Sequence, residues 1–205
     1  GSFMAGVVSG NGTDRRKQPN PTSFQRFEPY PPTPRELFGL EEERYGDALL
    51  TALPTRLVKA DGLPSRGESR GALWVEVPVD DVVLQIFVTH LGLLGAERVR
   101  QTEALIGPGW LGAPMAEDAR VILAGDFNAV SRSPSYRMLA RRFRDVQIDA
   151  GGRPVSTFPS RLPLLRIDHI FIGEGISVRR TFVHDTPLAR RASDHLPLCA
   201  DLEIA

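Results

Sequence analysis

The sequence predicts a mixed α/β fold, with β-sheet at its centre and helices on the outside. Three observations carry that prediction. Seven short runs of β-branched and aliphatic residues are spread along the chain, two stretches of helical period lie between them, and two of the runs stand close enough to form a hairpin. Helices between strands, with a hairpin elsewhere, are the pattern of a mixed sheet carrying helices outside.

The elements follow in order. Gly1-Ser2 has the look of a cloning scar, and residues 9–33 are polar and rich in Gly, Pro, Asn and Arg without a usable period. Residues 1–44 are therefore assigned to an N-terminal arm, partly disordered or divergent, and residues 45–205 to one folded domain. Strands are predicted over 48–51, 71–77, 82–89, 120–126, 167–172, 176–183 and 196–204. Pro78-Val79-Asp80-Asp81 joins the second and third as an antiparallel hairpin with a short polar turn. A helix is predicted over 96–106, with Val99, Thr102 and Ile106 on one face and Gly107-Pro108-Gly109 as its stop. Another opens with Ser133 as N-cap and Pro134 at the first helical position, and buries Tyr136, Leu139, Ala140 and Phe143.

Composition narrows the function. The 205 residues suffice for one domain with a sizeable core, and 41% hydrophobic with 24% charged residues is an ordinary globular balance. Lys+Arg and Asp+Glu both number 25, which argues against a general polyanion binder. Arginines do crowd the last third, from Arg132 to Arg191, and their planar fork suits phosphate. For Arg141, Arg142 and Arg144 a solvated helix face is the simpler reading. The single cysteine, Cys199, excludes a disulfide framework and a cysteine zinc cage, and between Leu198 and Ala200 it reads as a buried structural thiol. No apolar stretch approaches the ~20 residues of a membrane helix. The N-terminus lacks the order of a secretory signal, so cytoplasm is the default compartment.

The most informative stretch is Val121-Ile122-Leu123-Ala124-Gly125-Asp126-Phe127-Asn128-Ala129. A continuous apolar run closed by glycine reads as a strand buried on both faces. Ionisable groups at the mouth of such a strand cost desolvation energy, which points to chemistry. Asp168-His169 and Asp194-His195 also adjoin strand-like sequence. Asp, Asn and His gathered on strand ends suggest a hydrolytic, metal-assisted site. His169, next to Asp168 on a strand, should face the opposite way. His184 belongs to no motif.

Four segments, in order, resemble the endonuclease/exonuclease/phosphatase superfamily of DNase I-like hydrolases. They are Thr89-His90-Leu91-Gly92-Leu93 with Glu97-Arg98 and Gln101, Gly125-Asp126-Phe127-Asn128-Ala129, Arg166-Ile167-Asp168-His169-Ile170, and Ser193-Asp194-His195-Leu196-Pro197-Leu198. Tyr45 to Leu50 and Arg70 to Leu73 are weaker matches upstream. The resemblance implies a DNase I-like sandwich of two mixed β-sheets flanked by helices, with the N-terminal part truncated or divergent. It also implies a phosphoesterase. His195 would be general base, Asp168 its orienting carboxylate, and Asp126 and Asn128 would position water and hold a phosphate oxygen. His90 would stabilise developing charge, or help protonate the leaving group, and Arg70 would contact substrate phosphate. Asp194 and Asp126 would be the metal ligands, with Mg²⁺ or Mn²⁺ as the ion.

One departure stands out. The family's first-strand Asn and its Leu-Gln-Glu segment are not recognisable before Tyr45, where Glu41, Glu42 and Glu43 are the nearest acids. Loss of those strands would leave an edge for a second copy or a partner chain to cover. It also raises the alternative of a catalytically impaired binding or scaffold protein. Among substrates the expectation is a phosphate ester, with duplex nucleic acid disfavoured by the neutral net charge.

Overall fold

The computed structural model describes residues 2–7, 47–115 and 119–205, the first of these as backbone only. Tyr45, Gly46, Glu41, Glu42, Glu43 and the 9–33 arm lie outside the described residues. Its strands are β1 (Ser2–Val7), β2 (Arg56–Leu63), β3 (Arg70–Val79), β4 (Val82–His90), β5 (Arg120–Asp126), β6 (Arg144–Asp145), β7 (Asp168–Ile172), β8 (Ile176–Val183) and β9 (Leu198–Ile204). Its helices are α1 (Gly95–Leu105), α2 (Gly112–Met115), α3 (Pro134–Ala140), α4 (Val146–Asp149) and α5 (Ala189–Ala192).

Two sheets face one another. One has the order β2-β3-β4-β5-β7-β6 and the other β1-β9-β8. In the first, β4 and β5 run parallel while the other pairings are antiparallel. The second is antiparallel throughout its described strands. Period-2 alternation gives the large sheet two apolar faces. Leu84, Ile86, Ile122, Ala124, Ile170 and Ile172 pack across the sandwich on Leu198, Ala200 and Leu202 of β9. Phe87, Val121, Leu123 and Phe171 point the other way, onto Leu105, Trp110, Tyr136 and Leu139 of the helical layer. β5 is thus buried on both sides, as its sequence requires.

Gly125 has a specific reason to be glycine. A Cβ there would sit 1.8 Å from the Thr89 carbonyl oxygen of the neighbouring parallel strand. The β3–β4 hairpin turns at Asp80-Asp81, with Asp80 at φ 51°.

Several expectations need correction. Residues 48–51 are not a strand; half-buried Leu49 packs on the sandwich core from an irregular segment. The strand that does form is β2, whose Lys59, Asp61 and Gly62 hide it from an apolar pattern because it is a sheet edge with partial exposure. β1 lies inside the stretch assigned to the arm, and pairs antiparallel with β9. The buried residues of α1 are Glu97, Gln101, Thr102 and Leu105; of the predicted face Thr102 is buried and Ile106 packs half-buried on the helical-layer core, while the face is rotated from half-buried Val99 toward Glu97 and Gln101. Loop amides cause that rotation: Glu97 accepts from Arg66 N–H at 2.7 Å and Gln101 from Gly92 N–H at 2.8 Å. In α3, Ser135, Tyr136 and Leu139 are buried while Ala140 at its end is exposed. Ser133 is its N-cap, without a side-chain capping bond.

Candidate active site

The strand rows that fill the sandwich end in polar residues. Along β4 the inward row is Leu84, Ile86, Val88 and then His90; along β5 it is Ile122, Ala124 and then Asp126; along β7, running the other way, Ile172 and Ile170 lead to Asp168. Register completes the convergence, because His90 is paired with Asp126 and Asp126 with Asp168. The loop into β9 brings His195 over these ends, held where Leu196 N–H donates to the Thr157 carbonyl at 2.9 Å. Period-2 geometry therefore delivers three side chains from three strands to one point.

The structure brings His90, Asp126, Asn128, Asp168 and His195 together. His195 Nδ1 lies 2.8 Å from Asp168 Oδ2, and its Nε2 lies 3.8 Å from Asp126 Oδ2. His90 Nε2 approaches the same Asp126 oxygen at 3.3 Å. Asn128 arrives by a turn and not by continuation of the strand. Its N–H donates to Asp126 Oδ1 at 2.8 Å, and its backbone sits at φ 46°, a left-handed conformation that Asn tolerates. Its carboxamide nitrogen donates to the Leu91 carbonyl at 2.9 Å and stands 3.2 Å from His90 Nε2.

Burial and charge tune these groups differently. Burial, then the neighbouring charge of Asp168, pushes the Asp126 carboxyl up to about 6, against the opposing Asn128 amide, His195 and Arg70. Burial, helped by Arg70 and His195, lowers His90 to about 4, so the ring is neutral near pH 7 and its contact with Asp126 is not an ion pair. Burial would also lower His195, but the hydrogen bond and charge of Asp168, with Asp126 and Asp194 behind, raise it above its ordinary value.

The remaining site candidates divide. Arg70 is buried, donates to Glu68, and acts electrostatically on both His90 and Asp126. Asp194 is exposed; its carbonyl accepts from Ser160 N–H at 2.6 Å and its charge reaches His195. Among the described residues, the metal-capable group of three is Asp126, Asp168 and His195, whose ligand atoms lie within 4.8 Å of one another. Asp194 is not part of it. Asp168 Oδ1 is buried without a hydrogen-bond partner.

Sequence reasoning missed the role of Thr157, whose hydroxyl donates to Asp168 Oδ2. No motif or spacing announces it. Phe158 lays its ring 4.6 Å from that of His195. Arg98 lies within electrostatic reach of Asp126 while donating to the Gly92 carbonyl.

His169 faces the helical layer, fully buried. Its Nδ1 is 3.1 Å from Asp145 Oδ2 and its Nε2 2.7 Å from the Ala129 carbonyl. Arg166 joins it, donating to both Asp145 oxygens at 3.0 and 2.9 Å. This arginine is a buried structural partner, not a phosphate grip. Half-buried Arg190 and exposed Arg180 likewise pair with Asp185 and Asp201. Cys199 is half-buried, and burial raises its thiol.

Residues 11–195 match the Endonuclease/Exonuclease/phosphatase family. The uncharacterized protein YbhP of Escherichia coli K12 is 31% identical over 173 residues, which cover 80% of this chain and 64% of that protein. The chain thus spans about 64% of the length of the curated relatives it matches. Among solved structures, the human nocturnin catalytic domain with bound sulfate superimposes with a TM-score of 0.63 at 21% identity, covering 88% of this chain and 71% of its own. A Bacteroides thetaiotaomicron mannosyl-6-phosphatase gives 0.60 at 20% identity, over 73% of this chain and 67% of its own. Truncated Caenorhabditis elegans TDP2 gives 0.56 at 18%, over 74% and 67%. Likeness at these identities establishes the fold, a sandwich of β-sheets flanked by helices.

Proposed function

The chain belongs to the endonuclease/exonuclease/phosphatase family, and from that premise we propose that it is a divalent-metal-dependent phosphoesterase. It would hydrolyse a phosphodiester or phosphomonoester by in-line attack of a water that His195 activates. The observation that carries this reading is the Asp168–His195 pair at 2.8 Å, with Nε2 of the same ring turned toward Asp126 at 3.8 Å.

In this proposal His195 Nε2 accepts a proton from water, whose oxygen forms the new bond to phosphorus while the opposite ester bond breaks. Asp168 holds the imidazole orientation and stabilises the cation that forms. Thr157 fixes the Asp168 oxygen used for that purpose. Asp126 orients the attacking water, and Asn128 offers a donor to a phosphate oxygen without adding negative charge. Neutral His90 serves as a hydrogen-bonding group to developing charge, a role its low pKa suits better than proton donation from an imidazolium. Arg70 contributes positive potential to Asp126 and His90.

The donor set fits a hard cation. Two carboxylates converge, one buried oxygen of Asp168 lacks a partner, and Asp126 and Asp168 repel each other. Asp126 and Asp168 would hold the ion. Mg²⁺ suits a site with one or two carboxylates, retained waters and substrate oxygens, and Mn²⁺ serves the same geometry. When bound, such an ion would neutralise charge on the phosphoryl oxygens.

Hydrolysis of bis-nitrophenyl phosphate, nitrophenyl phosphate and abasic DNA, with Mg²⁺ or Mn²⁺ and then with chelator, tests the proposal. Turnover of one substrate, lost on chelation, is expected; no turnover of any would overturn it. The unrecognised Leu-Gln-Glu segment favours one second reading, a silent binding protein. Calorimetric titration with Mg²⁺ that finds only millimolar or weaker binding, together with no hydrolysis, would select it.

A further inference from the structure

The two ends of the large sheet differ in what they show to solvent. β4 and β5 both finish at the catalytic end, and β7 begins there. The loops at that end carry Leu93 and Leu94 after β4, Val130 after β5, Leu162 and Leu164 ahead of β7, and Leu188 ahead of β9. Leu93, Leu94, Leu162, Leu164 and Leu188 are 64–74% exposed, values at which a leucine contributes almost nothing to the core. At the opposite end, the 80–81 and 173–175 turns expose Asp80, Asp81 and Glu174, with Val83 as the large apolar residue beside them.

The apolar loops are braced. Leu164 N–H donates to the Phe158 carbonyl at 2.9 Å, Ser160 N–H to the Asp194 carbonyl at 2.6 Å, and Arg190 Nη1 to the Arg161 carbonyl at 2.7 Å. The last of these bonds ties the Leu162 loop to the segment that carries Leu188. Arg132, Arg161 and Arg191 are exposed among the same loops. The rim also exposes Asp185, paired with Arg190, and Asp194, but its arginines outnumber these acids, whereas the far-end turns expose Asp80, Asp81 and Glu174. Clustered exposed apolar groups mark interaction surfaces, and basic groups beside them select an anionic one.

We propose that this rim docks on an anionic lipid bilayer, leucines in the headgroup region and arginines against lipid phosphates, so that the cleft opens onto the membrane. The docking stands on the rim alone; that the bilayer then presents the phosphate ester to be hydrolysed rests on the phosphoesterase reading. The absence of a helix long and apolar enough to cross a membrane, among the described residues, is compatible with attachment from one side.

Co-flotation with vesicles of equal phosphatidylglycerol and phosphatidylcholine, against vesicles of phosphatidylcholine alone, tests the docking. Wild-type protein is expected to float with the anionic vesicles, less with the zwitterionic ones, and less again as salt is raised. The double variant L162D/L164D should cut the bound fraction about tenfold while Val83→Asp leaves it unchanged. Thermal melts establish that each variant is folded; should the double variant fail, Leu188→Asp takes its place. Failure of wild-type protein to bind either vesicle, or equal loss in Val83→Asp, would overturn the proposal. So would a dimer by light scattering that L162D/L164D dissociates, since the rim would then belong to a second copy. Hydrolysis of soluble bis-nitrophenyl phosphate, nitrophenyl phosphate and abasic DNA, assayed without vesicles, separates the two claims: turnover of none of them defeats the phosphoesterase reading and leaves the flotation result standing.

Discussion

Asp168 and His169 are neighbours in one strand, yet each enters an aspartate–histidine pair on an opposite face of the sheet. On the sandwich side His195 Nδ1 meets Asp168 at 2.8 Å; on the helical side His169 Nδ1 meets Asp145 at 3.1 Å. What differs is the company. The Asp145 carboxylate also accepts two bonds from Arg166 and one from Tyr136, and the second nitrogen of His169 is closed off by the Ala129 carbonyl. Burial would raise Asp145, but His169 and Arg166 hold it down at about 2. The Asp168 side is instead short of positive charge: Asp126 is pushed up to about 6, and one Asp168 oxygen has no partner. The same two residue types make a clamp where every group is satisfied, and a candidate reactive centre where some are not.

The largest expected effects separate the two pairs by which quantity they move. Replacing His195 with Ala should lower kcat by about 10²–10⁴-fold, the range for losing a positioned general base, with a smaller loss of stability than at the Asp145 clamp. Steady-state rates on a nitrophenyl ester, beside a thermal melt, check both halves; an unchanged kcat would remove His195 from the mechanism. Asp145→Ala should do the reverse. It leaves buried Arg166 and His169 uncompensated, and urea unfolding should show a loss of about 3–5 kcal/mol. A loss below about 1 kcal/mol, within the range of an ordinary hydrogen bond, would mean that the clamp is not the strong element described above.

A smaller effect of opposite sign should follow at Asp126. Its folded pKa, about 6, lies above the ordinary 3.8, so ionisation costs stability as pH rises through that interval, and the cost is complete above about 6. Asp126→Asn keeps an oxygen for the Asn128 amide and removes the charge. Without added metal at pH 7 it should stabilise the protein on the order of 1–3 kcal/mol while abolishing turnover. Denaturation of the two proteins in chelator measures this, and a destabilised variant would show that Asp126 is held by contacts that its carboxyl alone can make.

The two regions also differ in how far the sequence reveals them. His90, Asp126 and Asp168 each continue an apolar row of period 2, so strand assignment alone aims them at the same face, and it places His169 on the other. Their convergence needs the register of three strands, which the motif order supplied through family resemblance and the residues alone do not. Asn128 reaches the site through a left-handed turn that no alternation predicts. The Asp145 clamp was illegible because its members are separated by 21 and 24 positions, and Arg166, in a crowd of arginines, looked equally suited to phosphate. The rotated face of α1 escaped for a related reason: backbone amides in a loop, invisible in any pattern of apolar residues, drew Glu97 and Gln101 inward.

The smallest predicted effect is a pH response that only one pair should show. His195 must be neutral to take a proton from water, and its folded pKa lies above 6.5. Activity should therefore fall about tenfold per pH unit below that folded value. The linked stability runs the other way. A histidine raised on folding stabilises the protein fully below 6.5, and that contribution disappears as pH rises through the folded pKa. Asp145, depressed from 3.8 to about 2, contributes stability that is present above 3.8 and is lost only as pH falls toward 2. Over the range where activity rises, the clamp is silent and His195 surrenders its stabilisation, so rate and this part of the stability should move in opposite directions. Rate profiles across pH 5–9, and urea midpoints above pH 6.5 where the Asp126 and His90 contributions are complete, compared between wild type and His195→Gln, decide it: the variant's midpoints should lose the decline there, and a wild-type rate that is flat through pH 5–9 would mean that the titrating base is not His195.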